Sequence, residues 1–125
     1  MLKTISTDKA PAAIGPYSQG KIYGDLVFLS GQIPLDPKSG EVAASDIAGQ
    51  TACVLANVES LLEEAGSSFD NVIKTTCFLA DMADFAEFNR LYAERFVSKP
   101  ARSCVAVKAL PKGVLVEIEL IAVCK

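Results

Sequence analysis

The 125-residue sequence contains no histidine and no tryptophan. Without imidazole there is no Ser-His-Asp or Cys-His nucleophile pair, no zinc site of the His-containing types, and no side chain whose unperturbed pKa lies near neutrality. Any catalysis must then use carboxylates, Tyr, Lys, Arg, Cys, backbone dipoles or water. No apolar run reaches the roughly 18–20 residues that span a bilayer, and Met1 to Gly15 lacks a basic stretch followed by an apolar core, so the chain reads as a cytoplasmic protein with no membrane partner. Neither GxxxxGK(S/T) nor GxGxxG occurs. Lys/Arg clusters are absent as well, and the net charge is -3, from 12 Lys+Arg against 15 Asp+Glu. That balance disfavours a surface that tracks nucleic-acid phosphates. The four cysteines, Cys53, Cys77, Cys104 and Cys124, form no CxxC and sit among apolar neighbours. Zinc ribbons and thioredoxin-type motifs are therefore disfavoured, and the cysteines read as reduced packing residues.

What is present is the composition of one folded domain, residues 1–125, with 50% hydrophobic and 22% charged residues. Two segments carry a helical period. In the first, Ile47, Thr51, Val54, Leu55, Val58, Leu61, Leu62 and Ala65 recur at three- and four-residue spacing, with Ser45 or Asp46 as N-cap and Gly66 just past the end. In the second, Phe85, Phe88, Leu91, Tyr92 and Phe96 form the stripe, Asp84 with Glu87 resembles a capping box, and Pro100 stops the run. Strands are predicted around Gln19 to Tyr23, Leu26 to Leu29, Val72 to Leu79, Ser103 to Val107 and Val114 to Val123, with a turn at Leu110-Pro111-Lys112-Gly113.

This order predicts an α+β fold, two helices on one face of a mixed sheet of five or six strands. The opposite face would then expose Val, Ile and Leu, so a second copy of the chain is expected to cover it.

Several residues point to chemistry. On the last strand Glu117 and Glu119 share one face of an otherwise apolar segment, either as a solvated edge or as a pocket carboxylate made basic by desolvation. Arg102 opens a strand, either as an anion anchor or as a surface salt-bridge partner. Cys104 shares its strand face and so is a candidate for the same cavity. A tight hairpin between the last two strands would hold Arg102 and Glu117 toward opposite ends. One pocket would then need a subunit boundary or a different strand order. Tyr17 follows the turn-prone Ala13-Ile14-Gly15-Pro16, while Ser30 offers a hydroxyl and Gly31 permits close backbone approach. Asn89 falls away from the aromatic stripe of its helix.

Taken together, these stretches resemble one family, the RidA/YjgF reactive-intermediate deaminases. The resemblance lies in Ala10-Pro11, Ala13 to Gln19, Ser30 to Pro34 with Asp36-Pro37 and Gly40-Glu41, Lys74-Thr75-Thr76, Phe78-Leu79, Asp81-Met82, Asp84-Phe85 and Asn89, and in Pro100 to Val105, Leu110-Pro111-Lys112 and Val116 to Glu119 followed by Ile121-Ala122. It covers nearly the whole chain. It implies a chorismate-mutase-like (YjgF-like) fold assembled as a homotrimer with pockets between subunits. It also implies hydrolysis of 2-imino acids such as 2-iminobutanoate and 2-iminopropanoate to 2-keto acids and ammonia, with no metal and no cofactor. Carried over by position, Arg102 binds the substrate carboxylate, Glu117 handles water, Tyr17 closes the pocket, and Ser30, Gly31, Asn89 and Cys104 occupy the other pocket positions. The link from Phe96 to Pro100 is short beside some relatives and bears on the pocket rim. Two other readings stand beside this one: a non-catalytic trimeric sensor of a keto acid or amino acid, and a translation-inhibiting ribonuclease.

Overall fold

The computed structural model describes residues 1–125. Helix α1 spans Ile47–Glu64 and starts at Asp46, not Ser45: Asp46 is extended and its carboxylate accepts from the Gly49 N–H at 3.1 Å. At the other end Gly66 takes φ 74°, and the Ser67 and Gly66 N–H groups bond the Leu62 and Glu63 carbonyls. This closes the helix with the left-handed residue that glycine supplies at no steric cost. The predicted stripe is the buried one, and Val54, Val58 and Leu61 are fully enclosed. Helix α2 spans Phe85–Arg95. Its capping box does not form, because a single 3-10 turn, Met82–Asp84, runs straight into the helix and gives Asp84 helical torsions. The cap moves upstream to Asp81, which accepts from the Ala83 N–H, and Glu87 pairs with Arg90 at 2.7 Å instead.

Six strands make one sheet: β1 (Leu2–Ile5), β2 (Gly20–Tyr23), β3 (Leu26–Gln32), β4 (Val72–Leu79), β5 (Ala101–Ala106) and β6 (Val116–Val123), in spatial order β1-β2-β3-β6-β4-β5. Strand β1 escapes prediction because only Ile5 of its four residues is buried, leaving no alternation to read. β5 and β6 are not a hairpin. The β4–α2–β5 segment is a crossover unit that sets β5 parallel to β4, and β6 runs antiparallel between β3 and β4. β6 is central because its covered face is wholly apolar: Val116, Ile118, Leu120 and Ala122 are all buried.

Both helices pack on that face, and 20 buried residues form the core between helices and sheet. Alternation sends most of the Val, Ile and Leu of the strands into this layer. The opposite face is consequently mixed, and less uniformly apolar than the sequence suggests. Leu26, Phe28 and Val105 are exposed there, with Phe78 and Ile121 beside them, but so are Lys74, Ser103 and Glu119, with Lys21 half-buried among them.

Buried amides tie the loops to this frame. Asn57 donates to the Ile33 and Leu35 carbonyls, and Gln50 receives the Leu115 N–H while donating to the Ala44 carbonyl. Gln19, only 5% exposed, accepts from the Thr7 N–H at 2.8 Å and donates toward the Thr7, Ala10 and Pro11 carbonyls. It is the clamp on the segment that leads to Tyr17. Gln19→Leu removes the partners of these groups and is expected to cost about 1–3 kcal/mol in urea unfolding. Limited proteolysis should then nick the chain between Thr7 and Tyr17 first. Nicking elsewhere, at unchanged stability, would contradict the clamp.

Candidate functional site

Arg102 lies on β5, the outer edge of the sheet, and alternation turns its side chain toward the helices. There α2 presents a cradle. Phe85, Asn89 and Tyr92 fall at i, i+4 and i+7, one face of the helix. The guanidinium carbon stands 4.7 Å from the Tyr92 ring centre and 5.5 Å from that of Phe85, and its Nη1 donates to Asn89 Oδ1 at 2.7 Å. Asn89, which the sequence sets apart from the aromatic stripe, is thus the polar member of this second face. Arg90 and Arg95 both pair with glutamates, whereas no carboxylate lies within 4.0 Å of Arg102. A half-buried guanidinium with spare donors and no anion is unusual, since such charges are ordinarily paired. Beside it opens a cavity of about 580 Å³, lined by Asn89, Tyr92, Phe96, Val97, Lys99 and Arg102 among others. The Phe96 to Pro100 link forms one wall of it.

Cys104 shares the strand face of Arg102 but packs against the core and does not line this cavity. Burial pushes its thiol pKa up, with the Arg102 charge acting in the opposite direction. Its register partner Cys77 is fully enclosed and pushed up to about 12, chiefly by burial. Neither is set up as a thiolate nucleophile at neutral pH.

Glu117 faces the other way. In register it pairs with Phe78 on β4, while Arg102 pairs with Thr75, so the two residues lie on opposite faces of the sheet with β4 between their strands. Glu117 is half-buried, and its carboxyl pKa is raised first by burial and then by repulsion from Glu119, which projects from the same face. It lies against Gly31. The β3–β6 ladder shifts register between Leu29 and Gln32, a bulge that brings the Gly31 backbone against the Glu117 carboxylate. A Cβ at position 31 would come within 2.8 Å of the Glu117 carboxyl carbon. Ser30, in the same bulge, donates its hydroxyl to the Ser18 carbonyl at 2.6 Å and shares a cavity of about 370 Å³ with Tyr17. Tyr17 itself is 55% exposed.

The sequence-derived site residues therefore form two groups within one chain. Arg102 and Asn89 meet between β5 and α2. Glu117, Gly31, Ser30 and Tyr17 gather around the β3 bulge on the uncovered face. Sequence reasoning missed Phe85, Tyr92 and Thr75, which hold Arg102 or its supports. The signal was the 85/89/92 spacing, masked because Phe85 and Tyr92 also fit the core stripe. Gly31→Ala should leave stability within about 1 kcal/mol, since the group that must give way is the far end of a flexible side chain. It should also turn the Glu117 carboxylate toward water. The carboxyl pKa followed by carbon NMR is then expected to fall toward the ordinary glutamate value, and an unchanged pKa would mean that Gly31 does not set the Glu117 conformation.

Residues 7–124 match the family model described as Endoribonuclease L-PSP. A RutC family protein of Pyrococcus horikoshii is 54% identical over 123 residues, 98% of each chain. The 2-iminobutanoate/2-iminopropanoate deaminase of Escherichia coli K12 is 50% identical over 127 aligned residues, again 98% of each. The crystal structure of E. coli TdcF with bound serine superposes with a TM-score of 0.92 at 46% identity, covering 98% of this chain and 99% of that one. With two helices on one face of a six-stranded mixed sheet and likeness along almost its whole length, the chain belongs to the endoribonuclease L-PSP family, the YjgF/RidA group.

Proposed function

We propose that this protein hydrolyses reactive 2-imino acids to 2-keto acids and ammonia, as a cytoplasmic homotrimer whose pockets join the Arg102 group of one subunit to the Glu117 group of the next. The observation that carries the reading is the unpaired, half-buried Arg102 guanidinium, held by Asn89 and opening on a cavity. A carboxylate is the ligand that satisfies such a fork, through paired charge-assisted hydrogen bonds. The E. coli relative named as a deaminase supports the substrate class. So does the serine in TdcF, an α-carboxylate beside a nitrogen-bearing carbon. Leu26, Phe28 and Val105 on the uncovered face are apolar area for a neighbouring subunit to bury.

The chemistry asks little of the protein. A protonated imine conjugated to a carboxylate is already electrophilic, so the site must hold it, supply water and move protons. Arg102 fixes the carboxylate. Glu117, ionised above its raised pKa, takes a proton from water as the oxygen adds to the imine carbon. The resulting carbinolamine accepts that proton on nitrogen, and as the C–N bond breaks the hydroxyl proton returns to the Glu117 carboxylate, so ammonia leaves, the keto group forms, and Glu117 then passes the proton to ammonia or bulk water. Ser30 and the Gly31 backbone line the water side, Tyr17 closes the pocket, and Cys104 lies behind Arg102. No step needs a metal, a cofactor or a covalent enzyme intermediate.

The family's description also names an endoribonuclease. The net charge of -3 favours a small anionic substrate over a polyanion that must be gripped at many phosphates.

The direct test generates an imine in situ with a dehydratase or amino-acid oxidase and follows keto-acid release. Acceleration over the spontaneous rate is expected. Its absence would sink the enzyme, and keto-acid binding without turnover would favour a sensor. Arg102→Ala should lower kcat/KM by about 10²-fold or more while light scattering still shows the trimer. Arg102→Ala and Glu117→Ala are each expected to be severely impaired alone. Trimers co-assembled from equal amounts of the two should regain about a quarter of the wild-type sites, and no recovery would overturn the pocket shared between subunits. Because Glu117 must be ionised to act, its raised pKa sets the acid limb of kcat/KM above the usual carboxylate range. Glu119→Gln removes a like charge and should shift that limb to lower pH. A limb that stays put would show that the two carboxylates do not interact.

A further inference from the structure

The Tyr92 side chain lines the Arg102 cavity but is held from several sides. Its ring stacks on Phe96 at 4.2 Å with planes 25° apart and leans against Phe88 at 5.7 Å. Its hydroxyl shares a 2.6 Å hydrogen bond with the hydroxyl of Thr75, a residue with no solvent exposure. Thr75 sits on β4 directly opposite Arg102 on β5. The loop closes on itself: Arg102 lies over the Tyr92 ring, the Tyr92 hydroxyl is tied to Thr75, and Thr75 and Arg102 are register partners. Core packing alone would be served by phenylalanine, as it is at Phe88 and Phe96. The hydroxyl adds a fixed distance between α2 and the β4–β5 pair at the level of the guanidinium.

We propose that Tyr92 is a positioning residue that sets the plane of the Arg102 guanidinium, with Thr75 as its anchor. Arginine's long stem is flexible, and Asn89 holds only one of its nitrogens. A ring face locked at one height and tilt removes most of the remaining freedom, so the fork is already oriented when a carboxylate arrives. The proposal rests on the reading of Arg102 as a carboxylate anchor.

The test compares Tyr92→Phe, Thr75→Val, their double variant and Tyr92→Leu in the full-length protein. Readouts are thermal unfolding, calorimetric Kd for 2-oxobutanoate, and KM and kcat for imine hydrolysis. Thr75→Val leaves the buried Tyr92 hydroxyl without a partner, and Tyr92→Phe leaves the Thr75 hydroxyl only the long 3.9 Å contact from the Cys77 thiol, so both should lower Tm, Thr75→Val the more. Removing both hydroxyls restores an apolar pair and should recover much of that stability. If Tyr92 only packs, affinity will recover with Tm in the double variant, which overturns the proposal. If it positions Arg102, the double variant will be stable again yet keep a Kd and KM raised about three- to tenfold, with kcat changed less than about twofold. Tyr92→Leu, which also loses the ring face, should bind more weakly than Tyr92→Phe. Wild-type affinity in Tyr92→Leu would likewise overturn it. Failure of the deaminase reading shows separately, as absent hydrolysis with keto-acid binding intact, and the Kd comparison still decides the role of Tyr92. Wild-type keto-acid affinity in Arg102→Ala would remove the anchor and the proposal with it.

Discussion

Side chains on a β-strand alternate between the two faces of the sheet, and in this protein that period of two separates the ionised groups that matter. With β4 between their strands, Arg102 turns toward the helices and Glu117 turns away. No rotamer change carries a side chain through a six-stranded sheet. A single chain therefore presents two separate groups, which the proposed reading takes as half-sites: a cation with aromatic and amide support, and a carboxylate seated against a glycine bulge. On the proposed reading, association of copies is what makes one pocket from two halves. The need for a cover over the mixed sheet face and the need for a complete site then have the same solution.

Each half is prepared differently. The Arg102 half is supported by Asn89 and two rings and is short of one partner. One charge-assisted hydrogen bond to Asn89 contributes on the order of 1.5–3 kcal/mol, and an aromatic face about 0.5–2 kcal/mol. These offset part of the desolvation of a half-buried guanidinium, and on the proposed reading an arriving carboxylate supplies the rest. The Glu117 half is held in the opposite sense. Burial and the Glu119 charge both disfavour its ionised form, which makes it a better proton acceptor once ionised. Gly31 allows this seat because any larger residue would put an atom where the carboxylate lies.

The local elements were readable in the sequence. The α1 stripe with Asp46 and Gly66 at its ends, the β4 segment from Val72 to Leu79, and the shared face of Glu117 and Glu119 all follow from periods and caps that act over a few residues. The Asp84–Glu87 capping box misled because the chain enters α2 through a 3-10 turn, a choice made by torsions upstream of the motif. Strand β1 carried no pattern, and the Val/Ile/Leu content of the strands overstated the apolar character of the open face, since composition counts residues without regard to the face they point to.

From the residues alone came the absence of imidazole chemistry, the two helices and most strands, and Arg102 and Glu117 as the groups to watch. These are properties of residue type and near-neighbour spacing, which the chain carries wherever it folds. The strand order, the insertion of β4 between the strands of Arg102 and Glu117, and the Phe85–Asn89–Tyr92 cradle depended on the tertiary structure. Each joins segments far apart in sequence. Pairing of such segments is decided by which faces bury together and how the β4–α2–β5 crossover turns, and neither is written in any local pattern.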